Sequence, residues 1–332
     1  YHYAPHHSDW YIPGAAQGTP AETKNGPTQC EDVPDETYFD GRIAQEAIKA
    51  LNEHNDEPFF LAVGFWKPHL PFNAPKQYWD MYDSETIPGP QPATPPIGGV
   101  QIAQHNFKEL RGYAGMPKEG QPTPEQVREL RHGYYAAVSF VDAQVGKVLD
   151  ELDRLGLAEN TIVVLWSDHG FHLGEHALWA KTSNFEKDAG VPLIISAPGK
   201  ARGQRCMAMA ELLDIYPTLT DLCGMPAPDY LEGESLVPLI DNTETGQERV
   251  AITQHPRPPY YKADVGPTVM GYSLRTPRYR YTEWRDWRTG EPTATELYDH
   301  ATDPHESINL AGRRDMISVL EKLASRLAEA AP

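Results

Sequence analysis

Residues 161–186 read TIVVLWSDHGFHLGEHALWAKTSNFE, and the reading of the first seven decides the fold. TIVVL is a continuous apolar, β-branched run, the composition of a buried strand rather than of an amphipathic helix. Directly after it, residues 167–181 hold a serine, an aspartate, three histidines, a glutamate and a lysine. A core strand that ends in such a cluster fits an open α/β sheet, where ligands bind outside the carboxyl ends of the strands.

The flanking segments extend that reading. Upstream, Thr123-Pro124-Glu125-Gln126 offers a threonine N-cap, a proline in the first turn and a glutamine as capping-box partner. Val127, Leu130, Tyr134, Val138, Val141, Val145, Val148 and Leu152 then keep a helical spacing down to Gly156. GRIAQEAIKALNEH (41–54) predicts a further helix, and FFLAVGFW (59–66) a buried parallel strand. Downstream, VPLIISAPG (191–199) predicts a strand and AELLDIYPTLTDLCG (210–224) a helix. This alternation predicts a parallel sheet covered by helices.

Residues 1–36 read as irregular, and the proline-rich stretch 68–125 as a long surface excursion. From about residue 245 the character changes: VAITQ, MGYSLRTPRYRYTEW and ATELYDH are short alternating strands, followed by a helix near 312–330. The expected organisation is therefore an α/β domain over 1–244 and a small antiparallel subdomain over 245–332.

Composition bounds the function. With 332 residues, 40% of them hydrophobic, the chain can bury a sizeable core. It carries 47 acidic against 29 basic residues, a formal charge of −18. Such a chain repels nucleic acid and anionic membranes, and an anionic substrate would need a local pocket of positive charge. No run of 18 apolar residues is present, so no transmembrane helix is expected. The start, YHYAPHHSDWYIPG, lacks a signal-peptide pattern and an initiator Met, which reads as a chain starting inside a longer gene product. Cys30, Cys206 and Cys223 form no C-x-x-C pair and hence neither a disulfide framework nor a zinc knuckle.

Two strand ends carry unusual side chains: Lys67-Pro68-His69 after FFLAVGFW, and Ser167-Asp168-His169-Gly170 after TIVVLW. Asp168 and His169 look like ligands of a divalent cation, the imidazole by itself suggesting zinc or manganese rather than calcium. Two ligands do not complete a shell, so further carboxylates must come from elsewhere. Lys181, twelve residues past His169, suits charge stabilisation of an anionic leaving group or oxyanion. Lys67, His69, Lys181 and a cation together suit hydrolysis of a sulfate or phosphate ester. His172 and His176, with Trp179, are candidates for substrate contact.

PFFLAVGFWKPHLPF, YYAAVSFVDAQVGKVLDEL, SDHGFHLGEHALWAK, NFEKDAGVPLII, ELLDIYPTLTDLCG and MGYSLRTPRYRYTEW resemble, in order and spacing, the type I sulfatases, above all the iduronate-2-sulfatase branch and its bacterial relatives. The resemblance runs from about residue 30 to the end. It implies the alkaline-phosphatase-like fold: a mixed sheet flanked by helices, with a small C-terminal antiparallel sheet. It also implies calcium, held in part by Asp168 and His169, and sulfate contacts from Lys67, His69 and Lys181, with His69 a candidate acid for the leaving alcohol.

The family's nucleophile is a formylglycine made within C/S-x-P-x-R, and no such motif occurs in these 332 residues. The near miss Ser196-Ala197-Pro198-Gly199-Lys200 reads as a strand-ending turn. The resemblance therefore implies the C-terminal portion of a sulfatase, with the nucleophile-bearing N-terminal segment as partner. The expected activity is sulfate-ester hydrolysis on a sulfated, uronate-containing glycan, in a periplasmic or secreted setting. The alternatives are a phosphodiester or phosphonate monoester hydrolase of the same fold, and a non-catalytic binder of sulfated glycans.

Overall fold

A computed structural model describes residues 26–330, so most of the irregular stretch expected over 1–36 lies outside the described residues. The described residues divide into two compact units, 26–90 with 107–161, and 91–106 with 162–330.

The first unit is built on two helices and a short parallel strand pair. Strand β1 (Thr28–Glu31) runs beside β2 (Phe72–Pro75), with helix α1 (Phe39–Glu53) between them in sequence. Two single-turn helices follow, α2 (Lys76–Trp79) and α3 (Lys108–Arg111), and then the long α4 (Pro124–Arg154). The capping box opens α4 as expected: the Gln126 N–H donates to Thr123 Oγ1 at 3.3 Å, and the Thr123 N–H to Gln126 Oε1 at 2.9 Å.

The valine stripe is not the deepest face of α4. Gly133, Ala136, Ala137, Phe140 and Gln144 are buried, whereas Val138 is exposed. Small residues let the helix approach β2 closely; a Cβ on Gly133 would sit 3.0 Å from the Cβ of Phe72. Tyr38, Ala74, Tyr78, Trp79, Ala136 and Phe140 form the core here. Leu70, Phe72 and Ala74 are fully buried, which corrects the surface reading of the start of 68–125. Pairing with β1 gives this proline-bounded strand its hydrogen bonds and draws it inward.

FFLAVGFW also departs from expectation. It forms no strand pair among the described residues, and its side chains alternate between half-buried and exposed, Phe60 being 85% exposed. A strand exists only through its partners.

In the second unit, β3 (Val163–Trp166) pairs with β6 (Leu193–Ser196), antiparallel rather than parallel. No crossover helix lies between them. The chain returns instead through a two-residue hairpin pair, β4 (His172–Leu173) with β5 (Trp179–Ala180), and the one-turn helix α5 (Glu186–Ala189). Helices α6 (Ile215–Leu222) and α7 (Val237–Asp241) follow.

The expected antiparallel sheet is present: β7 (Ala251–Arg257), β8 (Val269–Arg275), β9 (Tyr279–Asp286) and β10 (Pro292–Asp299), in spatial order β10-β9-β8-β7. Leu274 faces Tyr281 across the β8–β9 pair, and both pack with Leu297 against Leu323 and Leu327 of α8 (Ile317–Ala330). Period-2 alternation in the strands meets period-3.6 spacing in the helix, and that match makes this core readable from sequence.

Candidate active site

In the first unit, α1 buries Asp40, whose carboxylate accepts the backbone N–H of Trp66 at 3.0 Å and of Lys67 at 2.9 Å. Those bonds fix where the chain delivers Lys67. Its ammonium is buried, donates to the carbonyls of Pro71 (2.8 Å) and His69 (3.2 Å), and lies 5.9 Å from the centre of the Phe39 ring. Burial pulls its pKa down to about 8, opposed by the negative charge of Asp40. Burial in turn pushes the Asp40 carboxyl above its ordinary range.

The His69 Nδ1 lies 2.5 Å from the Leu70 carbonyl, which can only accept, so this nitrogen carries a proton. Its Nε2 faces Glu109 Oε1 at 3.2 Å, and its ring meets Trp66 edge to face. Lys67 and His69 are thus brought together as two donors. Asp40 and Glu109, which hold them, escaped the sequence reading: Asp40 stands just before the helix read over 41–54, and Glu109 falls in the stretch read as a surface excursion.

In the second unit, Asp168 and His169 follow β3. Asp168 Oδ1 accepts the His169 N–H at 3.0 Å, and Oδ2 lies 3.6 Å from His169 Nε2. His169 Nδ1 lies 2.7 Å from the Gly170 carbonyl, which can only accept, so Nδ1 holds a proton and in the neutral ring Nε2 is the lone-pair nitrogen. A lone-pair nitrogen and a carboxylate oxygen at that spacing fit two ligands of one cation, with the ring oriented through its other nitrogen. The residues present therefore fit the divalent ion that the sequence predicted. Gly170 is obligatory: a Cβ there would lie 2.0 Å from the Lys187 carbonyl oxygen.

Lys181 follows β5 in a strained stretch. His176, Ala177, Ala180 and Thr182 all have left-handed backbone, with φ of 54°, 60°, 67° and 93°. For a β-branched threonine this is a genuine outlier. Such strain costs on the order of 1–3 kcal/mol per residue and clusters at functional sites.

The reading of His172 and His176 as substrate contacts meets a different finding. Both are buried, at 0% and 1% exposure. His172 Nδ1 bonds Asp188 Oδ1 at 2.7 Å, its Nε2 faces His176 Nδ1 at 3.3 Å, and His176 Nε2 bonds the His305 carbonyl at 2.8 Å. With the ring nitrogens so engaged, they shape the hairpin from beneath and leave no open edge for a ligand. Burial, then the neighbouring His172, holds the His176 pKa down.

A second cluster, Glu186, His300 and Glu306, has metal-like spacing. It does not fit a cation. Arg280 bonds both carboxylates, Arg275 bonds Glu186 and His300 Nδ1, and His300 Nε2 bonds Glu306 at 2.9 Å. Two guanidinium groups already balance two carboxylates.

Comparison with known proteins gives the family and the fold. Residues 4–225 match the family model described as Sulfatase, and residues 174–331 the model described as N-sulphoglucosamine sulphohydrolase, C-terminal. The chain is 34% identical to mouse (Mus musculus) iduronate 2-sulfatase over 86% of this chain and 64% of that protein. It is 32% identical to a sulfatase of Formosa agariphila, over 87% of this chain and 53% of that one. The chain therefore spans about two thirds or less of the length of these relatives.

Among solved structures, a phosphonate monoester hydrolase of Agrobacterium radiobacter aligns with a TM-score of 0.76 at 25% identity, over 90% of this chain and 61% of that one. A protein solved in complex with its substrate D-glucosamine-2-N,6-O-disulfate aligns at 0.73 and 22%, over 88% and 69%. The fold is alkaline-phosphatase-like, with the small C-terminal antiparallel sheet.

Proposed function

The chain belongs to the sulfatase family, and from that premise we propose that the complete protein hydrolyses a sulfate ester on a sulfated, uronate-containing carbohydrate. The observation that carries this reading is the convergence of the Asp168 carboxylate and the lone-pair nitrogen of His169, 3.6 Å apart, at the end of β3. In the proposed site Asp168 and His169 hold calcium together with carboxylates from outside this chain. That ion supplies positive charge beside the sulfate oxygens.

Sulfate contact is assigned to Lys181 in the second unit and to Lys67 in the first, where burial removes the water that would screen the Lys67 charge. His69, aligned by the Leu70 carbonyl and Glu109, delivers a proton to the departing sugar oxygen. The nucleophile is a formylglycine on a segment of the whole protein outside these 332 residues. Exposed apolar side chains in each unit, Phe60 in the first and Trp166 and Ile194 in the second, support a role for that segment as a covering partner. Export to the periplasm or the medium goes with a glycan substrate.

The test is to assay the complete protein with 4-nitrophenyl sulfate and with bis-(4-nitrophenyl) phosphate. Preference for the sulfate ester supports the reading. Preference for the phosphodiester would replace it with the phosphonate-hydrolase reading, which the structural likeness at a TM-score of 0.76 favours as second choice.

A further inference from the structure

We propose that Asp188 and Arg257 are positioning residues that grip one peptide group, between Thr182 and Ser183, and thereby hold Lys181 for its anion. The inference rests on the reading of Lys181 as a sulfate contact. The Thr182 carbonyl accepts from Arg257 Nη1 at 3.0 Å, and the N–H of Ser183 donates to Asp188 Oδ2 at 2.8 Å. These are the two ends of a single planar unit. A guanidinium meets its negative oxygen and a carboxylate its positive N–H, so both charges match the peptide dipole.

Both gripping side chains are themselves fixed. Asp188 is 5% exposed; its Oδ1 takes the His172 Nδ1 at 2.7 Å, and Oδ2 also accepts Ser183 Oγ at 2.6 Å. Arg257 is 6% exposed and donates from Nε to the Ile102 carbonyl (2.7 Å) and from Nη2 to that of Ala103 (2.8 Å), with its guanidinium 4.7 Å from the centre of the Trp284 ring. Burial raises the Asp188 carboxyl, but His172 and Ser183 more than offset this and keep it below the usual range.

The grip holds strain in place. Thr182, at φ 93°, and Ala180, at φ 67°, bracket Lys181, and neither conformation would persist unless its surroundings over-determined it. Asp188 also reaches the proposed cation segment, since its backbone carbonyl accepts the Gly170 N–H at 2.7 Å. One residue therefore links the strand end bearing Asp168 and His169 to the loop bearing Lys181.

The test uses the full-length protein carrying Asp188→Asn and, separately, Arg257→Lys, each alone and combined with Lys181→Ala. Loss of a charge-assisted hydrogen bond is expected to speed hydrogen exchange at the Ser183 amide by about tenfold or more and to lower kcat/KM for a sulfate ester by a similar factor. The same substitutions made on Lys181→Ala should lower kcat/KM little further. Equal losses in both backgrounds, or an unchanged Ser183 amide, would overturn the proposal. If the unaltered protein hydrolyses no sulfate ester, the sulfatase reading fails, and the clamp is judged by exchange together with protection of Lys181 from amine methylation by inorganic sulfate. Protection lost in both variants upholds it; protection retained refutes it.

Discussion

Asp40 holds Lys67 by its backbone and not by its ammonium: Oδ2 accepts the Lys67 N–H at 2.9 Å, while Nζ donates to the Pro71 and His69 carbonyls. The charge of Asp40 thus acts on the ammonium through space, against burial. Lys67 must be protonated to hold an anion and has a pKa of about 8, so kcat/KM is expected to fall as pH rises through about 8. Asp40→Asn keeps an acceptor oxygen but removes the charge, which moves that limb to lower pH. A pH profile of the complete enzyme checks this; a limb that stays put would assign it to another group.

Glu296 gives a pH dependence of stability rather than activity. Burial raises its carboxyl to about 7, even though Trp284 Nε1 (2.9 Å) and the Tyr298 hydroxyl (2.7 Å) donate to it. Between about 4.5 and 7 the folded state holds a proton that the unfolded state has lost, so stability falls as pH rises through that window. Urea midpoints at pH 5 and 7.5 should differ more in the unaltered protein than in Glu296→Gln. Identical differences would remove Glu296 as the cause.

The ion-pair network around Arg280 predicts a large structural loss. Arg280 and Glu306 are 2% and 1% exposed and bonded at 2.7 Å, and Arg280 also bonds Glu186. Arg280→Met strands the buried Glu306 carboxylate, which costs about 3–5 kcal/mol. Chemical denaturation measures it, and a loss under about 1 kcal/mol would mean that Arg275 suffices as counter-charge.

Calcium should stabilise the complete protein through Asp168 and His169. At a concentration a hundredfold above its Kd the expected gain is about 2.7 kcal/mol. Asp168→Ala should abolish the calcium-dependent rise in Tm while leaving the Tm in chelator unchanged. A rise that survives the substitution would place the ion elsewhere.

Local rules made much of this molecule readable. The capping box at Thr123, the α1 helix and the alternating strands after about residue 245 each follow from spacing within a few residues. What failed was non-local. TIVVL and VPLIIS were recognised as strands, but their antiparallel pairing depends on the route of the 26 residues between Trp166 and Leu193. Within the site, Asp168, His169 and Lys181 stood out as rare side chains after a strand, whereas Asp188 and Arg257 act on a peptide group 75 residues from Arg257 in sequence. A pattern in neighbouring letters carries no trace of such a contact. The histidines misled for the opposite reason: polar residues dense enough to suggest a surface proved to be mutually satisfied and buried.

Ala177 and Ala180 stand at φ 60° and 67°, where alanine pays roughly 1–2 kcal/mol for its Cβ and glycine does not. Glycine would relieve that penalty but also widen the range of conformations open to the hairpin. Screens that rank variants of this protein by heat resistance alone would therefore tend to favour glycine at these two positions. Variants that gain heat resistance through glycine at Ala180, next to Lys181, are expected to be among the slowest, because the freedom that relieves the strain there also loosens the neighbouring lysine.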